Sequence, residues 1–69
     1  MPEYLLLFDM PREMGSMQVK VNRTLKAMGA TRLQYSIWES KDLRGLKEVS
    51  KLVKQVGGTS MIVEKKVVF

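Results

Sequence analysis

The chain of 69 residues contains no cysteine and no histidine. The first absence removes disulfides, thiolate zinc sites and cysteine nucleophiles together. The second removes the commonest general base and the commonest transition-metal ligand. Nucleophilic triads and zinc centres are therefore outside its chemistry, and no glycine-rich phosphate loop has the required spacing. Long apolar runs are also missing: none approaches the ~20 residues that span a bilayer. The N-terminus has neither a basic leader nor a cleavage site, so a cytoplasmic protein without a membrane partner is expected. With so few residues, one domain covering 1–69 is expected. A core of this size rarely contributes more than about 3–5 kcal/mol of net stability, and with disulfides excluded, oligomerisation is the remaining way to bury more surface.

Charge is present in excess of one sign. Twelve Lys and Arg face seven Asp and Glu, a formal net charge of +5. On so small a surface this favours anionic partners, nucleic acid first and acidic membrane surfaces second. Many mildly basic domains nevertheless bind no anion specifically.

The organising stretch is Tyr4-Leu5-Leu6-Leu7-Phe8-Asp9. Its apolar run is short for a helix and does not alternate, which predicts a central strand with apolar neighbours on both faces. It ends in a carboxylate ahead of Met10-Pro11. Asp9 is thus either a turn residue or a lone acid at the mouth of a buried strand, placed to hold a metal ion or a substrate phosphate.

A loop with Pro11 and Gly15 follows. Ser16 is the expected N-cap of a helix over Met17–Met28, whose stripe is Met17, Val21, Leu25 and Met28. Gly29 suits the left-handed stop. Thr31–Glu39 alternates as strand, with Leu33, Tyr35 and Ile37 on one side and Arg32, Gln34, Ser36 and Trp38 on the other. One long strand and two short strands kinked near Tyr35–Ser36 both fit.

Ser40 is the expected cap of a second helix running to about Val56, with Asp42 in its first turn. Leu46, Val49, Val53 and Val56 form its inner stripe, with Leu43 and Leu52 beside them. On its outer side Lys47, Lys51 and Lys54 share one face, which serves either as a solvated surface or as a phosphate track. Thr59–Phe69 closes the chain as strand, interrupted at Glu64-Lys65-Lys66 before Val67-Val68-Phe69. The pattern predicts an α+β fold, a ferredoxin-like sandwich with two helices on one face of a mainly antiparallel sheet.

Within that fold the chemistry left open is a hard-metal site. One carboxylate holds Mg²⁺ if waters and substrate phosphates complete the shell, and a two-fold dimer would bring a second Asp9. A metal held this way would activate water against a phosphodiester. Arg12 and Arg32 are candidate phosphate clamps. Tyr35 and Trp38 are candidate base-stacking residues, with Trp38 alternatively the anchor of a dimer interface.

Three segments carry a family resemblance. They are Leu5-Leu6-Leu7-Phe8-Asp9-Met10-Pro11, the basic helix from Lys20-Val21 through Leu25-Lys26 to Gly29, and Arg32-Leu33-Gln34-Tyr35-Ser36-Ile37-Trp38-Glu39. Together they resemble the small CRISPR-associated Cas-two proteins, partners of the integrase in spacer acquisition, and the related virulence-associated D toxins. The resemblance implies a ferredoxin-like homodimer with the two Asp9 carboxylates facing each other as Mg²⁺ ligands, and Phe8, Arg32 and Trp38 around them. It implies RNA or DNA as partner, a CRISPR integrase subunit as a second one, and either Mg²⁺-dependent endonuclease activity or a non-catalytic DNA-bridging role. A toxin-like ribonuclease outside any CRISPR locus is the third reading.

Overall fold

The structure, a computed structural model, describes residues 2–66. The elements in order are β1 (Glu3–Asp9), α1 (Gly15–Ala27), β2 (Thr31–Gln34), β3 (Ile37–Ser40), α2 (Leu43–Gln55) and β4 (Thr59–Lys65). The sheet order is β2-β3-β1-β4 with every neighbouring pair antiparallel. Two helices on a four-stranded antiparallel sheet make the α+β ferredoxin-like arrangement expected from the pattern. No helix among the described residues is long and apolar enough to cross a membrane.

β1 is central because both of its edges are used. It pairs with β3 from Tyr4↔Ser40 to Leu7↔Ile37, and with β4 from Glu3↔Lys65 to Asp9↔Thr59. Strand alternation sends Tyr4, Leu6 and Phe8 to one face and Leu5, Leu7 and Asp9 to the other. On the first face Leu6 pairs with Trp38 of β3 and Ile62 of β4. There Leu6, Phe8 and Trp38 join Val21 and Leu25 of α1 and Leu46, Val49 and Val53 of α2 in one core cluster. On the second face Leu5 and Leu7 stand beside Ile37, Met61 and Val63. No element among the described residues covers that face, and Met61 is 61% exposed.

Thr31–Glu39 resolves into two strands around a turn at Tyr35–Ser36, with Phe8 N–H donating to the Ser36 carbonyl at 3.1 Å. A register shift between Arg32 and Gln34 marks a bulge in β2. The structure decides which side of the segment is buried. Leu33 and Tyr35 are 48% and 69% exposed, whereas Trp38 is 1% exposed. β2 is an outer strand with no helix over it, and the largest ring of the hairpin sits opposite Leu6, under both helices. Trp38 Nε1 has no hydrogen-bond partner among the described residues, so packing alone holds the ring.

The helix starts also shift. α1 begins at Gly15 with Met14 at the cap position and no capping side chain, so Ser16 lies inside the helix rather than at its boundary. α2 is capped by Asp42, whose Oδ1 accepts from Gly45 N–H at 2.9 Å. Ser40 instead supports the cap, its Oγ accepting from Asp42 N–H at 3.0 Å. Gly29 takes φ +80°, the left-handed stop that the sequence predicts. At Gly58 a Cβ would come within 2.5 Å of the Asp9 carbonyl oxygen and 2.7 Å of Val53 Cγ1. The missing side chain thus lets the α2–β4 connection close against the end of β1.

β4 continues through Glu64 and stops within the expected interruption, at Lys65, which has charged partners there. Its ammonium donates to Glu39 and lies 3.7 Å from Glu3, bridging three strands. The hydrogen bond to Glu39 holds the Lys65 ammonium above its ordinary pKa, with the charges of Glu39 and Glu3 acting in the same direction. The expected pairing of Val67-Val68-Phe69 with a neighbouring subunit lies outside the described residues.

Candidate functional site

Asp9 ends β1 where the chain must leave the sheet. Pro11 cannot continue a ladder, and Met14 N–H donates back to the Pro11 carbonyl at 3.0 Å, turning the chain directly into α1. The turn folds this segment around a cleft of about 370 Å³. Asp9, Arg12, Gly15, Gln18 and Tyr35 are among its lining residues, and among the described residues Asp9 is the only carboxylate on its wall. Asp9, Arg12 and Tyr35 are all exposed. The Arg32 guanidinium lies over the Tyr35 ring at 5.6 Å from its centroid, within cation–π range.

The start of α1 forms another wall of this cleft. Met14 supplies no capping group, and the first turn contains no acid. The helix therefore presents the partial positive charge of its N-terminus there, on the same side as Arg12. One carboxylate faces two sources of positive potential and an arginine-backed aromatic ring. Chemically this accommodates a phosphate beside an unpaired base, with Asp9 left for a cation.

Asp9 also borders a second, shallower depression of about 320 Å³ on the uncovered face, with Leu7, Ile37, Thr59 and Met61. Thus one carboxylate belongs both to the cleft and to the apolar sheet face.

The expected site residues separate into three groups. Asp9, Arg12 and Tyr35 meet at the cleft, and Arg32 joins through Tyr35. Lys47, Lys51 and Lys54 are exposed on α2 and line a different groove, which shares no residue with the cleft. Phe8 and Trp38 are core residues at 6% and 1% exposure, which corrects their expected roles in stacking or at an interface. Phe8 contributes only to the floor of the cleft. The reason is parity: both occupy even positions, the helix-covered side of their strands.

Gly15 and Gln18 were missed as lining residues. Ser16, a good cap in the sequence, hid the signal, because the helix starts before it at Gly15 with no capping side chain.

Among the described residues no group of three or more acids, histidines or cysteines stands together. At the cleft the donor set for Mg²⁺ is the Asp9 carboxylate, so a fit would need waters and substrate phosphate oxygens to complete the shell. The sequence matches no protein-family model and no curated protein.

Proposed function

We infer that the protein is a nucleic-acid-binding homodimer, with the Asp9 cleft as the place where a phosphodiester is held. The observation that carries this reading is the meeting of Asp9, Arg12 and Tyr35 in one cleft, with Arg32 on the ring. Arg12 and the α1 N-terminus neutralise phosphate charge, and the Tyr35–Arg32 pair offers a stacking surface for a base. The net charge of +5 supports association with a polyanion.

The second copy covers the open sheet face. Leu5, Leu7, Ile37, Met61 and Val63 form an apolar surface with no cover among the described residues. Asp9 lies on the same face by strand alternation, so a two-fold pairing through it carries both carboxylates into the interface region. This is the arrangement that makes an Mg²⁺ site of two Asp9 side chains. When bound there, Mg²⁺ would supply charge neutralisation and water activation at the phosphodiester. The chain's own part is to orient the strand with Arg12 and Arg32 and to keep two carboxylates beside the phosphate. A CRISPR-associated role in spacer acquisition, with an integrase subunit as partner, is the biological setting that the family resemblance adds.

A non-catalytic bridge is the second reading, favoured by the single carboxylate that the cleft wall contains. Labelled single-stranded RNA and duplex DNA, incubated with Mg²⁺ or EDTA, separate the two readings. Metal-dependent cleavage by the wild type, lost in Asp9→Asn, is the result expected of the enzyme. Retained binding in EDTA without cleavage identifies the bridge. Absence of both binding and cleavage contradicts the whole reading. Growth arrest on expression, relieved by Asp9→Asn, would identify the toxin-like ribonuclease.

A further inference from the structure

α2 packs along β4, the outer strand of the sheet. At their junction Lys47, Lys51 and Lys54 line a groove of about 360 Å³ with Ser50, Ser60 and Ile62. The lysines are exposed, while Ser50 is buried and its hydroxyl is hydrogen-bonded to that of Ser60 across the helix–strand seam. This seam fixes the helix against the strand and so fixes the line along which the ammonium groups emerge.

Spacings of four and three residues put the lysines on one side of α2 over ~10 Å, at 1.5 Å per residue. A duplex presents phosphates every ~3.4 Å of axis along each strand, so the row covers about three of them. The nearest acid is Glu48, 3.6 Å from Lys51, and both side chains are largely exposed. Such a pair is weak and gives way to a phosphate. Among the described residues the groove has no aromatic ring and no amide side chain on its walls. It therefore has nothing to stack on bases and no bidentate group to read their edges. Contacts of this kind position a backbone without selecting sequence. The corresponding basic side chains of α1, Arg23 and Lys26, instead line a depression with exposed Val19 and Asn22, all residues of α1 itself.

We propose that the α2–β4 groove is a second nucleic-acid site, holding the phosphate backbone of a duplex independently of sequence, of divalent metal and of Asp9. It shares with the reading above only the class of ligand, and its test is separable from that reading. Anisotropy titrations of a labelled random-sequence duplex in EDTA, from about 50 to 200 mM salt, would compare four proteins. These are the wild type, Lys47→Ala/Lys51→Ala/Lys54→Ala, the same three positions changed to arginine, and Lys20→Ala/Arg23→Ala/Lys26→Ala as an equal charge loss on α1. All these positions are exposed or carry their charge in solvent, and circular dichroism checks that each variant folds.

The expected result is a log–log salt slope shallower by about 2.7 in the α2 alanine variant, from three contacts at roughly 0.9 each. The arginine variant keeps the wild-type slope, and the α1 variant changes it by less than half as much. An unchanged slope in the α2 variant, or equal flattening by both alanine variants, overturns the proposal. So does lysine-dependent binding to phosphatidylserine vesicles in preference to duplex. Failure of Asp9→Asn and Arg12→Ala to alter binding or cleavage would remove the cleft reading and leave the groove standing. No duplex binding at the lowest salt would remove the groove proposal and leave the cleft to be judged on single-stranded RNA.

Discussion

The two faces of the sheet are built from the same strands and have different fates. On one, Leu6, Phe8 and Trp38 disappear beneath Val21, Leu25, Leu46, Val49 and Val53. On the other, Leu5, Leu7, Ile37 and Val63 are only half-buried, and Met61 stands 61% exposed. Both faces are apolar at the centre, and the open one has charge at both ends, with Asp9 at one and the Glu3–Lys65–Glu39 cluster at the other. An apolar centre bounded by charges has the composition of an association surface, with register supplied by the charged rim.

The comparison makes unequal demands on substitutions. Trp38→Ala, on the covered face, should lower stability by about 3–5 kcal/mol, comparable to the whole net stability of a chain this small. Urea unfolding followed by circular dichroism reads this directly. A loss below 1 kcal/mol would mean that the ring is not held by the core.

Lys65, on the open face, belongs at the small end of the scale. Its folded pKa is raised above the ordinary lysine value by Glu39 and Glu3. A raised pKa stabilises the folded state fully below the unfolded pKa, and the contribution is lost as pH rises through the folded value. The melting-temperature difference between wild type and Lys65→Met should therefore be level through neutral pH. It should close only in the alkaline range above about 10.4, the ordinary lysine value. A difference that closes instead between pH 6 and 8, far from the lysine range, would assign the effect to another group.

Much of this division was legible in the residues, and the exceptions have physical causes. The unalternating run Tyr4–Phe8 announced a strand with two apolar faces, and the i, i+4 stripes placed Val21, Leu25, Leu46, Val49 and Val53 correctly in the core. Gly29 announced its own left-handed φ. The face occupied by Trp38 was not legible, because apolar residues stand on both parities of Thr31–Glu39. The turn at Tyr35–Ser36 has neither glycine nor proline to mark it. Ser40 and Asp42 are both good caps two residues apart, and the structure uses Asp42 on the helix and Ser40 on Asp42.

At the candidate site, Asp9 and Arg12 are close in sequence and their meeting could be anticipated. The approach of Tyr35 required the β2–β3 turn to return beside the end of β1. The lysine row was visible as helical spacing, whereas the Ser50–Ser60 seam beneath it depended on which strand α2 covers.

Sedimentation of the wild type and of Leu7→Lys, each checked for folding by circular dichroism, tests most directly the assignment of the open face to a second copy. Leu7 is half-buried on that face, pairs with Ile37 and Met61, and lies two residues from Asp9. The account predicts a wild-type dimer and a folded Leu7→Lys monomer. A wild-type monomer at every concentration, or a variant dimer as stable as the wild type, would contradict it.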